Sequence, residues 1–549
     1  MATVITPASK LLACRAALLP LFMLTSVATA KTTLTPSLST GVYAYGIKAQ
    51  PGEADRGAAL EVSPGLSWSY QGSWLDSSLS VSSRNVTYRD EQRDSESAPA
   101  YQWSGSMNLL NDTLKLNTRL DQQYRQTGSL RSRYQDFITN AGEQAKSQSQ
   151  SANLSFIHNR IDWANLSLNL RYANYQSDDA RLNVVDPLLT AELANDTSGI
   201  SLALKSRSSG SKFSYRVNGE ANKTGRDLLE NQYNRRLDGS IGLPFFSDIG
   251  MIAVGSLESN SQLTAQSNPF AESYRNFKSV GGGFQWLISN DSYWDVTYNT
   301  VTTDQRKKGY IGTRFELKPS IRTSLSGRLD RRFFGRSAEL RGSYRTKHFR
   351  AELSAADNLG SILGFGQDDF KTALFVCPPG VQPGIDNCYQ PPTLNYQPAN
   401  GEQLYNINMP VGEMSELLSI RRNQTLTLGY DFSRLKLLFN SGFMRDSYLE
   451  QDFINESLFN QLSANWQLNR RNSMTLAMDV SNIKQELAGV AQAQNELAGI
   501  ARSATLTWNR EINQQLSASI NLKRIKVSYR GETPDYAENR VWLMTQFKF

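Results

Sequence analysis

Histidine is scarce in this 549-residue chain, and its spacing limits the chemistry available. His158 and His348 lie far apart, and neither has a second histidine at the spacing that sets two metal ligands on one helix face. Lipid hydrolysis needs a serine and a histidine together on one surface. His158 shares the phase of Leu154 and Phe156 but sits beside a turn at Asn159-Arg160, and His348 closes the turn Thr346-Lys347-His348. Gly281-Gly282-Gly283 lies inside an alternating segment, where small residues make room for a neighbour's bulk or for a bend. The sequence therefore offers no catalytic residue, cofactor site or metal site and is not expected to be an enzyme. Hydrolysis at His158 is the one enzymatic alternative.

Charge is the other resource. The formal net charge is +7. Much of it recurs at every second position: Lys115, Arg119, Lys212, Arg216, Arg328, Arg332, Arg341, Arg345 and Arg350, interleaved with Asp121, Glu220, Asp330, Glu339 and Glu352. Two readings are open. Each arginine is neutralised by a carboxylate nearby, or the row forms a basic lining that favours anionic solutes or an acidic polysaccharide.

The elements that present these charges are strands. In residues 322–357, Leu325, Gly327 and Leu329 alternate with Ser324, Ser326, Arg328, Asp330 and Arg332. Next, Ala338, Leu340, Gly342 and Tyr344 alternate with Glu339, Arg341, Ser343 and Arg345. Then Phe349, Ala351, Leu353 and Ala355 alternate with Arg350, Glu352 and Ser354. Side chains alternate across a strand, so this is a sheet with one apolar and one charged face. The pattern recurs along the chain with tight turns, as at Gln71-Gly72, Ser289-Asn290-Asp291 and Pro319-Ser320, and longer polar loops between them. A turn is expected at Phe334-Gly335-Arg336 and a short loop helix within 484–501.

Residues 1–30 carry Lys10, Arg15, an apolar run and Ala28-Thr29-Ala30, the layout of a cleavable signal peptide with cleavage after Ala30. The mature region, 31–549, has low mean hydropathy for its length, −0.46 for the whole chain, yet aromatic residues make up 10% of it. An exported, aromatic-rich chain of alternating segments is expected to be an all-β protein: a transmembrane antiparallel β-barrel of about 24 strands (22–26) in the Gram-negative outer membrane. The first strand is expected at 38–47, leaving no room for an amino-terminal plug domain. The apolar face would meet outer-membrane lipid, and Phe547 and Phe549 resemble the terminal signal read by the outer-membrane barrel assembly machinery.

Export places Cys377 and Cys388 in an oxidising compartment. They are expected to form a disulfide stapling the long outer loop at 358–414, worth about 3 kcal/mol if that loop is otherwise flexible. The same compartment argues against a nucleic-acid partner.

The stretch Arg331-Arg332-Phe333-Phe334-Gly335-Arg336-Ser337, the strand after it, the basic turn at 346–350 and the strand at 351–357 resemble the PEP-CTERM system-associated outer-membrane β-barrel family. Residues 36–43 and 62–70 look like that family's first hairpin, whereas the cysteine-containing loop departs from its pattern. The resemblance implies a link to exopolysaccharide and protein-sorting gene neighbourhoods and carries no established activity onto any residue. The expected function is a pore, or an export or anchoring component for surface exopolysaccharide. The alternative is a structural barrel that sheathes or docks a periplasmic protein without open-pore transport.

Overall fold

The computed structural model describes residues 31–549 except 51–52, 90–92, 111–112, 127–136, 140–143, 162–163, 182–189, 207–213, 227–230, 247, 261–275, 290–291, 303–308, 362–368, 378–402, 412–417, 449–452, 488–497 and 531–533. The expected signal peptide at 1–30 and Cys388, hence the expected disulfide, lie outside the described residues.

The strands run in chain order. The first eight are β1 (Lys31–Gln50), β2 (Glu53–Gln71), β3 (Leu75–Tyr88), β4 (Glu96–Leu109), β5 (Leu114–Gln126), β6 (Gln144–Ile161), β7 (Ala164–Arg181) and β8 (Thr190–Ser206). Then come β9 (Ser214–Gly225), β10 (Gln232–Pro244), β11 (Ile249–Asn260), β12 (Asn276–Ser289), β13 (Ser292–Val301), β14 (Gly309–Ser320), β15 (Thr323–Arg332), β16 (Gly335–Arg345) and β17 (Phe349–Ser361). The rest are β18 (Asp369–Cys377), β19 (Gln403–Val411), β20 (Leu418–Asp431), β21 (Leu435–Tyr448), β22 (Phe453–Asn469), β23 (Asn472–Leu487), β24 (Gly499–Glu511), β25 (Leu516–Tyr529) and β26 (Tyr536–Lys548).

Twenty-four of these form one antiparallel sheet in which successive strands pair, β17 pairs with β20, and β26 closes onto β1 with Phe547 opposite Leu38 and Trp542 opposite Tyr43. This is the expected all-β closed barrel at the expected strand number. Closure removes both edges of this sheet, so every one of its strands is paired on both sides.

The alternation decides which face points out. On β12, Val280, Phe284, Trp286 and Ile288 are exposed outward, Phe284 at 67%, while Phe277, Ser279 and Gln285 are buried on the lumen side. Leu237, Ile241 and Leu243 on β10, Trp294, Val296 and Tyr298 on β13, and Val541 and Leu543 on β26 repeat the outward set. From Val280 to Ile288 the apolar run extends roughly 25 Å along the strand, the height of a hydrocarbon-facing band. Near the short-turn rim this band ends in aromatic residues. Tyr344, Phe349, Tyr430 and Phe432 form a chain with centroid spacings of 6.1, 6.5 and 4.3 Å, and Phe245, Phe246, Trp466 and Trp508 are exposed close by their own turns. An apolar wall of this extent, rimmed by aromatics, is a surface for lipid rather than for water.

Several local expectations shift. The turn after β14 is at Ile321-Arg322, because Pro319, which lacks an N–H, sits in a register bulge between Leu317 and Ser320 instead of in the turn. The β15–β16 turn is Phe333-Phe334, with Gly335 paired to Arg332; its φ of 113° is the left-handed conformation that glycine adopts without strain. The strand expected at 38–47 is longer, beginning at Lys31. The region 358–414 is not all loop: β17 continues to Ser361, and β18 and β19 pair in a separate two-stranded hairpin. The ends of the stretch 484–501, where a short loop helix is expected, are strand, since β23 continues to Leu487 and β24 starts at Gly499; residues 488–497 are outside the described set.

Candidate functional site

The lumen-side residues of β9–β15 build the most elaborate interior of the barrel, and three glycines explain its shape. Gly281 and Gly283 of β12 have lumen phase. A Cβ on Gly281 would lie 2.8 Å from the Asn299 Cα, and one on Gly283 would lie 2.7 Å from the Thr297 Cα and 2.8 Å from the Val296 carbonyl carbon. Gly312 of β14, on the same side, leaves space that Asn299 fills. Without side chains at these points the wall folds inward about β12, and Cα atoms of β11 and β13 come within 8 Å of one another. In a flat sheet, next-nearest strands stand about 9.6 Å apart.

The crease brings the two flanks into contact. Arg328 of β15 donates two hydrogen bonds to Asp238 of β10, at 3.0 and 3.4 Å, and its Nε donates to Asp330 at 3.0 Å. Arg236 pairs with the same Asp238 at 2.8 Å. Arg332 grips Glu258 of β11, with Nε 3.2 Å from Oε2, and its guanidinium lies 4.9 Å from the Phe334 ring centroid. Ser214 of β9 donates to Gln285 of β12 at 3.2 Å, and Arg216 of β9 stands 4.8 Å over the Tyr293 ring of β13. Tyr310 donates to Asp330 at 2.9 Å. A cavity of about 50 Å³ remains between the flanks, bordered among others by Arg216, Asp238, Asp295, Asn299, Arg314 and Arg328.

The expected lumen charges divide by position. Arg328, Asp330 and Arg332 enter the crease. Glu339 and Arg341 pair at 2.9 Å, and Arg345 and Glu352 at 2.9 Å with Arg350 3.8 Å from the same carboxylate. Those later pairs are largely exposed, so each adds little stability. Arg119 lies 3.6 Å from Asp121, whereas Glu220 is held by Arg171 at 2.7 Å and not by Arg216. Lys212 is outside the described residues. His158 has outward phase and stacks on Phe156 at 6.0 Å, and His348 Nδ1 is 3.0 Å from the Asp431 carbonyl at the short-turn rim, so the two histidines share no site. Among the described residues no cluster of three His, Cys, Asp or Glu side chains is placed to hold a metal.

A second interior, apolar, fills the long-loop end beneath β23–β26 and β1–β4. Tyr43, Tyr45, Ile47, Val86, Ile483, Ile525, Val527, Tyr536 and Trp542 point inward, and Tyr43 stacks on Trp542 at 5.8 Å. Phe137 and Ile138, from the segment between β5 and β6, are buried against them; Tyr88 donates to the Phe137 carbonyl at 3.1 Å and Thr139 to Glu538 at 3.3 Å. Glu538 is itself held by Arg540, Nε at 2.8 Å, and by the Tyr536 hydroxyl at 2.6 Å.

Asp238, Glu258, Asp295 and Arg314 carry the crease without any local sequence signal beyond phase. Each alternates with outward residues, as Asp238 does with Leu237, so lumen side is legible and partner is not. At the terminus, Phe547 and Phe549 make an edge-to-face contact at 4.5 Å, and the Phe549 N–H donates to Pro36 at 3.0 Å, which ties the chain end to the start of β1.

No known family profile and no curated protein sequence matches the chain. Among solved structures it is similar to the FrpB iron transporter from Neisseria meningitidis (11% identity, TM-score 0.42, covering 94% of this chain and 83% of that one). It is also similar to the siderophore receptor PirA from Acinetobacter baumannii (10%, TM-score 0.35, 94% and 81%). A variant of the ferric enterobactin receptor PfeA from Pseudomonas aeruginosa gives 10% identity and a TM-score of 0.39, covering 93% and 80%. At this identity and these scores, neither ligand nor mechanism passes from those receptors to this chain.

Proposed function

We propose that the chain is an outer-membrane β-barrel that passes or anchors an acidic surface polysaccharide, or its building units, within the PEP-CTERM-associated system that residues 331–357 resemble. The observation that carries this reading is the pairing of a lipid-type exterior with a charged lumen in a closed barrel of 24 strands. A barrel of this size encloses more space than wall side chains fill, so its lumen is a water path or holds an occupant. We read the lumen as a water path narrowed by the barrel's own crease and the inserted Phe137–Thr139 segment, without a separate plug domain. A cleaved signal peptide ending at Ala30 and insertion by the barrel assembly machinery belong to the same proposal. So does an absence of enzymatic activity. The Cys377–Cys388 staple is proposed with it.

A strain lacking the protein tests the reading. Reduced extracellular polysaccharide, restored by the wild-type chain, is expected; normal export in the deletion strain contradicts it. A second reading, a structural barrel that docks a periplasmic protein, is favoured by the burial of Phe137 and Ile138 inside the long-loop end, which narrows that end. Cross-linking that captures a periplasmic protein at the short-turn rim, together with an electrically silent barrel, is the outcome specific to it.

A further inference from the structure

Arg314 and Arg328 stand directly opposite one another on the lumen side of the β14–β15 ladder. Like charges so placed repel unless opposite charge lies beside both. Arg328 has that charge in Asp238 and Asp330. Arg314 does not. Asp295 is its cross-strand neighbour on β13, yet among the described residues no carboxylate lies within ion-pair distance of Arg314 or of Arg216. The Asp295 carboxylate instead accepts a hydrogen bond from Gln285 at 2.8 Å, and Glu316, further along the same face, is held by Lys318 at 3.1 Å.

The charge balance of the cleft follows from these contacts. Arg236 and Arg328 are offset by Asp238 and Asp330, while Arg216 and Arg314 share only Asp295, leaving one positive charge beside the cavity. Burying uncompensated charge is costly, so a site of this kind is completed by a bound anion. Asn299 also borders the cavity, with its Oδ1 packed into the notch at Gly281 and its Nδ2 donating to Thr297 at 3.1 Å. Two arginines with one carboxylate between them call for a ligand with a negative group. The cavity of about 50 Å³ has room for several water-sized groups.

We infer that this cleft binds the carboxylate of a sugar acid. The carboxylate lies between the Arg216 and Arg314 guanidiniums. The inference rests on the transport reading only for the source of the sugar acid; the site itself requires neither conduction nor export.

The test is titration of the purified, folded barrel in detergent with D-glucuronate, using D-glucose as the uncharged comparison and heat-modifiable gel mobility as the check of folding. Saturable glucuronate binding with none for glucose is expected. Arg314→Gln and Arg216→Gln should each weaken it about tenfold, the loss of one charge-assisted contact, and Arg314→Lys, which keeps the charge, should bind more tightly than Arg314→Gln. Wild-type affinity in folded Arg314→Gln, or equal binding of glucose, overturns the proposal. A deletion strain with normal polysaccharide export would remove the transport reading and leave a positive binding result intact.

Discussion

Arg328 on β15 and Asp238 on β10 form a two-pronged ion pair, 3.0 Å at its shorter contact, although five inter-strand steps separate them round the wall. At about 4.8 Å per step those strands would stand roughly 24 Å apart in a flat sheet. The pair therefore both requires the crease and pins it. Arg328→Gln leaves Asp238 and Asp330 without their main counter-charge and is expected to lower unfolding stability by about 3 kcal/mol, the low end for a buried pair because Arg328 keeps 21% exposure. Arg341→Gln, whose partner contact is 71% exposed on the arginine side, should change it by less than about 1 kcal/mol. Urea unfolding in detergent or lipid, followed by tryptophan fluorescence, compares the two.

The glycines of β12 make a position-specific prediction. Gly283→Ala puts a methyl group against the β13 backbone, which cannot swing aside as a flexible side chain can, and overpacking of this kind costs about 1–3 kcal/mol. Gly282→Ala, one residue away, meets only the Ile252 carbonyl at 3.5 Å, an ordinary contact, and should fold like the wild type. The yield of heat-modifiable barrel for each variant reads the difference. Equal yields would show that the crease does not depend on the missing side chain.

How far the sequence foretold this arrangement depends on the range of the interaction. Val280, Phe284, Trp286 and Ile288 announce an outward face because lipid contact imposes period two on every stave, and the same rule puts Arg328 and Arg332 on the lumen side. Arg332 finding Glu258, 74 residues earlier, is a different matter: no local pattern states where the wall bends. The glycine run pointed to a bend or a close neighbour, and both are present. Pro319 misled by two residues, since a residue without an N–H suits a bulge as well as a turn. The hairpin of β18 and β19 was hidden by the proline-rich composition around it.

The outer belt can be tested by charge. Phe284→Arg places a guanidinium on the lipid face at a residue 67% exposed, where a cation near the middle of the hydrocarbon costs about 2–4 kcal/mol. Unfolding from lipid vesicles should show that loss. A variant as stable as the wild type would mean that Phe284 faces water.

Removal of the carboxy-terminal Phe549 takes away the Phe547 edge contact and the backbone bond to Pro36 that seals β26 to the foot of β1. Reduced barrel in the outer-membrane fraction, with unassembled chain accumulating in the periplasm, is the expected result. Quantitative immunoblotting of the fractions measures it.

Current through single molecules of the purified protein in planar bilayers addresses the central claim most directly. The account predicts discrete, steady conductance steps that favour anions in a salt gradient, with the preference reduced in Arg216→Gln. Barrels shown by gel mobility to be folded and inserted, yet passing no current at any holding potential, would contradict it.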